Sequence, residues 1–259
     1  MRVSFAGPLI ARGDRQQGIH TRSLTGEQTI TKTAAIQTSG PTASQAILAE
    51  GTGAAAIHIV NSGALTASGN NASGIDAQTA GGTVDIRNSQ TIAAGWGSSA
   101  GIQTAGASQT IDNTSAVGAL SDVAIRADAN GSAGTLLLSN SGQITGTVTA
   151  ASSDVTMTNG GTWNLRAFSD STGTGTRDRW AVAVSNLGTN AANSIVNSGS
   201  VVLAAQPGTT LLSPTAANVS FDAAGAYLPF GQACQCTRAR WGGAGPDTRR
   251  AHFHERRRA

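Results

Sequence analysis

The sequence predicts an all-β protein, a right-handed parallel β-helix with a ladder of asparagine side chains at one turn. The first observation is a pattern that recurs seven times: a large apolar residue, a ladder residue two positions later, and another large apolar residue four positions further on. The second is the spacing of these copies, which suits the coils of a solenoid. The third is that no apolar stripe of helical period appears. The copies are Ile30-Lys32-Ile36, Ile59-Asn61-Leu65, Ile86-Asn88-Ile92, Ile111-Asn113-Val117, Leu138-Asn140-Ile144, Met157-Asn159-Trp163 and Ile195-Asn197-Val201.

Asparagine occupies six of the seven ladder positions. The strands that lead into them alternate apolar and polar residues, which is typical of a half-buried strand. Asparagine tolerates a left-handed backbone and hydrogen-bonds locally, so we expect it to turn the chain sharply. Coils stacked about 4.8 Å apart would join these amides into a ladder. The predicted structural ladder is Asn61, Asn88, Asn113, Asn140, Asn159 and Asn197.

The intervals between ladder positions define the coil length. They are 29, 27, 25, 27, 19 and 38 residues, and the last, twice 19, predicts one irregular coil hidden inside it. A second set of apolar anchors precedes the ladder residues at a similar spacing, so each coil offers three short strands. The usual chirality of crossover connections favours the right-handed form. The anchors are Ile19, Ile47, Ile75, Ile102 and Ile125.

We divide the chain into three parts. Residues 1–17 do not continue the pattern and are expected to be a non-native or irregular lead-in; their apolar stretch contains Pro8 and no convincing signal-peptide cleavage site. Residues 18–233 are expected to form the β-helix, with a loop insertion near 166–178 that is its expected contact point. Residues 234–259 are expected to be a disordered tail, read out of frame.

Charge is distributed unevenly between these parts. The tail holds seven Arg and two acidic residues, whereas the preceding 233 residues hold ten Lys and Arg and twelve acidic residues. The net charge of +3 therefore belongs to the tail, and the β-helix has no basic stripe that would indicate a nucleic-acid partner. A genuine basic tail that binds anionic partners is the alternative to an out-of-frame reading.

Low aromatic content (4%) and low charge (12%) make disorder the competing interpretation of residues 18–203. The fixed phase of Ile, Leu and Val over seven copies argues against it. No stretch approaches 18 apolar residues, so we expect no transmembrane helix.

No metal or cofactor site is expected. Cys234 and Cys236, and likewise His252 and His254, are separated by one residue, whereas zinc ligands are usually separated by two to five. His20 is expected to be solvated, as is His58.

No catalytic residues are expected either, because the carboxylates fall at different phases of the coil and form no acid cluster. Asp85 and Asp112 lie three and one positions before a ladder residue, and we expect them on opposite faces of the strand. Arg87 is expected to form a surface ion pair with Asp112. The carboxylates considered are Asp76, Asp85, Asp112, Asp122, Asp128 and Asp154.

The Asn-Ser-Gly turns, as in Ile59-Val60-Asn61-Ser62-Gly63 and Leu138-Ser139-Asn140-Ser141-Gly142, resemble those of type V autotransporter passenger domains. Gly160-Gly161-Thr162-Trp163-Asn164 resembles their closing coils. This resemblance, over about residues 18–231, implies export, translocation through a C-terminal outer-membrane β-barrel, and display at the cell surface or secretion. It also implies host or surface ligands, protein or glycan. The chain lacks a convincing signal peptide and the alternating strands of a barrel, so we expect a fragment.

Two functions follow as hypotheses. The favoured one is a β-helical stalk for surface display and adhesion, not an enzyme and not functional alone. The alternative is a β-helical carbohydrate-active enzyme, a polysaccharide lyase or hydrolase, or a tailspike-like glycan-binding module. Convergence of three carboxylates within about 5 Å on one face would favour the alternative.

Overall fold

The computed structural model describes residues 1–95, 97–129, 134–166, 180–187, 193–204, 218–221 and 239–240. These residues form 22 strands and no helix. The strands are β1 (Arg2–Phe5), β2 (Leu9–Ala11), β3 (Ile19–Ser23), β4 (Gln28–Lys32), β5 (Ile36–Thr38), β6 (Ile47–Gly51), β7 (Ile57–Asn61), β8 (Leu65–Ala67), β9 (Ile75–Thr79), β10 (Thr83–Asn88), β11 (Ile92–Ala94), β12 (Ile102–Ala105), β13 (Ser108–Asn113), β14 (Ala116–Asp128), β15 (Gly134–Asn140), β16 (Gln143–Asn159), β17 (Thr162–Arg166), β18 (Trp180–Leu187), β19 (Ser194–Asn197), β20 (Ser200–Ala204), β21 (Asn218–Phe221) and β22 (Ala239–Arg240).

The strands stack in three parallel columns, one per face of a solenoid. The first face is the column β1, β4, β7, β10, β13, β15, the end of β16, and β19. The second is β2, β5, β8, β11, the start of β14, the start of β16, β17 and β20. The third is β3, β6, β9, β12, the end of β14, the middle of β16, β18 and β21. The predicted parallel β-solenoid with three strands per coil is confirmed; its right hand stays a prediction.

The core is a stack of aliphatic side chains from the inward positions of each strand. On the first face, Ile30 pairs with Ile59, Ile59 with Ile86, and the column continues through Ile111, Leu138, Met157 and Ile195. All of these side chains are buried. Trp163 fills the second-face column, and its indole N–H donates to the Gly146 carbonyl at 2.8 Å. The repeated pattern therefore places its apolar members as predicted.

The expectation of an irregular lead-in is wrong for residues 2–11. β1 pairs in register with β4, and β2 with β5, so that Val3 stacks on Ile30 and Leu9 on Ile36. Val3, Phe5 and Leu9 have the spacing of the repeated pattern, with Phe5 at the ladder position. This copy was not recognised from the sequence because its ladder position holds an aromatic residue instead of asparagine.

The interval from Asn159 to Asn197 contains no hidden coil. These two residues are direct cross-strand partners, so their coils are adjacent. β18, within the interval, pairs with β16 and so belongs to the third face of the same coil. The predicted loop insertion begins at Arg166, the last residue of β17, and its residues 167–178 lie outside the described part of the chain.

The Arg-rich tail, residues 234–259, is described only at Ala239–Arg240. These two residues form β22, which pairs antiparallel with β19. The remaining tail residues, including Cys234, Cys236, His252 and His254, lie outside the described residues.

The left-handed residues lie at a different corner from the one predicted. Among the described non-glycine residues, positive φ occurs at Arg15 (54°), Ala43 (45°) and Asn71 (56°), which lie before the third-face strands of successive coils. The ladder asparagines instead end the first-face strands with their side chains buried. Stacking of the side chains, rather than a left-handed backbone, explains asparagine at those positions.

Candidate functional site

The amide ladder runs through all six predicted asparagines. Each of the first five side-chain amides donates from Nδ2 to Oδ1 of the asparagine one coil further toward the C-terminus. The distances are 2.8 Å for Asn61 to Asn88, Asn88 to Asn113 and Asn113 to Asn140, and 2.6 Å for Asn140 to Asn159 and Asn159 to Asn197. The amides are buried, so each bond satisfies groups that would be costly to leave unpaired. The ladder therefore fixes the register of the first face.

Local hydrogen bonds attach the ladder to its turns. Asn113 Nδ2 also donates to the Ser115 carbonyl at 2.7 Å, and Asn197 Nδ2 to the Gly199 carbonyl at 3.1 Å. At Asn61 the direction reverses, because Oδ1 accepts from the Gly63 N–H at 3.3 Å. The predicted local hydrogen bonding of asparagine is present, and it holds each turn against the ladder.

Glycine in these turns is required by the approach of neighbouring coils. A Cβ on Gly63 would lie 1.9 Å from the Ala34 carbonyl oxygen, and one on Gly142 would lie 2.2 Å from that of Ser115. Real Cβ atoms do not come this close to a backbone oxygen. The third residue of Asn-Ser-Gly is therefore glycine for reasons of coil stacking.

Lys32 occupies the ladder position before Asn61 and is fully buried. Its ammonium donates to the carbonyls of Phe5 at 3.3 Å and Gly7 at 2.5 Å, and lies 5.1 Å from the centre of the Phe5 ring. Burial lowers the pKa of this amine. The bonds between ladder amides all donate toward the C-terminus, so the N-terminal end of the ladder is the end that can accept a hydrogen bond. Lys32, whose ammonium can only donate, lies at that end.

The outward side of the third face carries a group of polar residues that we call the third-face cluster. His20 Nε2 lies 2.8 Å from Glu50 Oε2, and Gln78 Nε2 donates to Asp76 Oδ1 at 2.7 Å. Arg126 donates to the Ser98 carbonyl at 2.6 Å. Sequence reasoning missed this cluster, and the in-register anchors Ile19, Ile47, Ile75 and Ile125 were the signal that could have found it.

Asp76 is the most perturbed group of the third-face cluster. Its side chain is on the outward side of β9, yet the residue is only 6% exposed. Burial raises the pKa of Asp76 to about 6; the Glu50 charge adds to the rise, and the Gln78 hydrogen bond and the Arg126 charge oppose it. A carboxyl with this pKa can hold or release a proton near neutral pH.

A second polar group lies on the outward side of the first face. His58 lies 3.5 Å from Asp85 and 3.8 Å from Glu27. His20 and His58 therefore both have carboxylate neighbours, and the prediction that they are only solvated is wrong. Asp85 and Asp112 face the same way, because their offsets from the ladder differ by two and side chains alternate along a strand. Arg87 is the cross-strand partner of Asp112, but the ion pairs of the described coils do not include these two residues.

The described residues contain no group of three His, Cys, Asp or Glu side chains that could hold a metal ion. They also contain no helix long and apolar enough to cross a membrane. The described geometry offers a stack of coils with polar outward faces and, in the third-face cluster, the Asp76 carboxyl, whose pKa is raised to about 6.

These features define the class of the protein: it is a parallel β-solenoid held in register by an asparagine ladder. Comparison with models of protein families, with curated proteins and with solved structures gives no match.

Proposed function

We propose that this chain belongs to the passenger domain of an autotransporter, as part of a β-helical stalk for display at the cell surface and for adhesion. The Asn-Ser-Gly turns motivate the family, and the stacked coils suit the mechanical part of the role. In a solenoid each coil contacts only its neighbours, so length is added without changing the core.

The observation that carries the proposal is the unbroken ladder from Asn61 to Asn197. It holds the inward side chains in register along the axis, which leaves the outward positions free to vary. Those positions carry polar and charged residues such as His20, Asp85 and Arg126. A rod whose outer surface is free to vary is suited to presenting contacts at a distance from the membrane.

Surface display tests the proposal. The whole chain would be placed between an export signal and an outer-membrane translocator domain, and cells would be probed with antibody and external protease. We expect the chain to be accessible to antibody and protease at the cell surface, and the cells to attach more strongly to host-cell or glycan-coated surfaces. The Asn113→Leu variant should reduce this attachment. Chain that reaches the surface and changes attachment to none of these surfaces would contradict the adhesive role.

A second candidate function rests on the third-face cluster. Glu50 and Asp76 are carboxylates on adjacent coils, and the Glu50 charge contributes to the raised pKa of Asp76. A pair of carboxyl groups is what glycoside hydrolysis uses. A β-helical carbohydrate-active enzyme, or a tailspike-like glycan-binding module, would use this face.

Polysaccharide turnover tests that second candidate. The chain would be incubated with neutral and uronic-acid polysaccharides, and new reducing ends and unsaturated products would be measured. Activity that Glu50→Gln abolishes and Asp112→Asn leaves intact would support an enzyme. Binding of an oligosaccharide without turnover, lost in Glu50→Gln, would support the glycan-binding module. If the chain shows neither turnover nor binding, this second candidate function is ruled out.

A further inference from the structure

One outward row of the third face places a buried carboxyl and a guanidinium along the same line of the stack. Asp76, Gln103 and Arg126 are successive cross-strand partners in β9, β12 and the end of β14, so their side chains project in the same direction. Two strand spacings, about 10 Å, separate the backbones of the first and the third residue. The charge of Arg126 acts on Asp76. The two groups are therefore placed to interact across the coil between them.

The Arg126 guanidinium contacts neutral acceptors in the structure. Its Nη1 donates to the Ser98 carbonyl at 2.6 Å and to Oε1 of Gln103 at 3.4 Å. Ser98 belongs to the corner of residues 97–100 that precedes β12, and its N–H and hydroxyl both donate to Oδ1 of Asn71, at 2.9 Å and 2.7 Å. Asn71 therefore holds this corner to the preceding coil, and Arg126 holds it to the following one.

Asp76 is short of hydrogen-bond donors for its charged form. Among the described residues, one donor reaches its carboxyl, Gln78 at Oδ1, although Asp76 is only 6% exposed. An ionised carboxylate can accept several hydrogen bonds, and burying it without them costs free energy. Burial raises the pKa of Asp76 to about 6, so this carboxyl becomes charged as the pH approaches neutral. A charged Asp76 then needs a further donor.

The strands β3, β6 and β14 bring the other charged side chains of this face near Asp76, whereas β12 brings only uncharged ones. Those of β3 lie beside Glu50, which is the cross-strand partner of Arg22 and lies 2.8 Å from His20. Glu50 itself opposes a charge on Asp76. Arg126 is therefore the cation that a charged Asp76 attracts. The charged residues around Asp76 are His20, Arg22, Glu50, Arg126 and Asp128.

We propose that the third-face cluster is a pH-sensitive switch, in which the Arg126 guanidinium leaves the Ser98 carbonyl for the Asp76 carboxylate when that carboxylate is charged. A carboxylate can bind arginine through two parallel charge-assisted hydrogen bonds, which a single carbonyl cannot offer. A protonated Asp76 has no such advantage, and Arg126 then stays at Ser98. When Arg126 moves, the corner of residues 97–100 loses its bond to the following coil and keeps its bonds to Asn71.

Nuclear magnetic resonance of the full chain tests the switch. The signals of the Asp76 carboxyl carbon and the Arg126 guanidinium carbon are followed from pH 4 to pH 8. We expect both signals to shift with one midpoint near pH 6. Amide exchange at residues 97–100, corrected for its intrinsic pH dependence, should become about tenfold faster between pH 5 and pH 8. This is the change expected when the switched state returns the pKa of Asp76 from about 6 to its ordinary 3.8.

Two variants separate the parts of the switch. Asp76→Asn should keep Arg126 at Ser98, so that the guanidinium signal no longer shifts and exchange at residues 97–100 stays slow at every pH. Arg126→Gln should make this exchange fast at every pH and raise the midpoint of the Asp76 carboxyl, because a nearby positive charge is lost.

The matched controls are Asp112→Asn and Arg87→Gln, which change the same residue types on the outward side of the first face. They should leave both titrations unchanged. His20→Gln should keep the shift of the guanidinium signal, because His20 is not the group that moves Arg126. An unchanged circular-dichroism spectrum shows that each variant is folded.

A guanidinium signal that does not follow the Asp76 titration would overturn the proposal, and the unchanged chain decides this even where a variant fails to fold. A shift that persists in Asp76→Asn, or one that disappears in His20→Gln, would also overturn it. Exchange at residues 97–100 that stays constant with pH while Asp76 titrates would show that Arg126 does not release this corner.

Discussion

At the scale of single residues, Asn113 shows what a ladder position contributes. Its amide accepts from Asn88 and donates to Asn140, both at 2.8 Å, and it also donates to the Ser115 carbonyl. Replacement by Leu removes these bonds and leaves the buried amides of the neighbours partly unpaired. The left-handed backbone adds nothing to this cost, because Asn113 is not among the residues with positive φ.

We therefore expect Asn113→Leu to lower the free energy of unfolding by about 1–3 kcal/mol. The measurement is the midpoint of a denaturant titration. Asp112→Leu, on the outward side of the same strand, is the control and should change stability by less than about 0.5 kcal/mol. An unchanged midpoint for Asn113→Leu would show that the ladder does not stabilise the fold.

Asp76 makes stability depend on pH. Its pKa is raised from 3.8 to about 6 in the folded state, so protonation favours folding. The stabilisation is complete below about pH 4 and is lost as pH rises through 6. Relative to an Asp76→Asn variant, the protein should lose up to about 3 kcal/mol of stability between about pH 4 and pH 7.

Denaturant titrations at several pH values check this prediction. Asp112→Asn is the control, and its stability relative to the unchanged chain should not show the same trend. A constant difference between the unchanged chain and Asp76→Asn across this pH range would contradict a raised pKa at Asp76.

At the scale of the turns, two corners of the coil obey different rules. The turn after the ladder needs glycine because of close backbone approach, whereas the turn before the third face needs a left-handed residue. Ala43 has φ of 45° and lies one coil before Asn71, whose φ is 56°. A left-handed backbone costs about 1–2 kcal/mol for most residues, and asparagine tolerates it better than alanine.

Ala43→Asn should therefore raise the free energy of unfolding by up to about 1 kcal/mol. Thermal and denaturant unfolding both measure it. The control is Ala93→Asn, which places the same residue in strand β11, where positive φ does not occur and no gain is expected. Destabilisation by Ala43→Asn equal to that of Ala93→Asn would contradict the strain at residue 43.

Gly63→Ala tests the other corner. The added Cβ would meet the Ala34 carbonyl oxygen at 1.9 Å, so the coils must separate or the turn must shift. We expect destabilisation of about 1–3 kcal/mol or more. Gly81→Ala is the matched control, because its Cβ would have the Gly53 oxygen at an ordinary 3.8 Å. Equal stability of the two variants would show that the stacking at Gly63 is looser than described.

At the scale of the whole molecule, one stack of coils accounts for the fold of the described residues. The three columns share a core of Ile, Leu, Val and Ala side chains, and parallel pairing continues from β1 to β21. We expect a far-ultraviolet circular-dichroism spectrum dominated by strand, with no helical component from the described residues. A helical or fully disordered spectrum of the purified chain would contradict the solenoid.

The sequence by itself determined the fold class, the inward apolar columns and the six ladder asparagines, because each rests on a spacing that repeats along the chain. It did not reveal the coil at Val3 to Leu9, where Phe5 replaces asparagine, nor the direct stacking of Asn159 on Asn197 across 38 residues.

Only the tertiary structure decided which residues of different coils meet. His20 with Glu50 and His58 with Asp85 are neighbours because the register of parallel strands brings them together, although they are distant in sequence. The burial of Asp76 on an outward position likewise depends on what packs over it, which alternation along a strand cannot show. Spacing along one chain fixes a repeat, whereas burial and charge pairing depend on the distances between its coils.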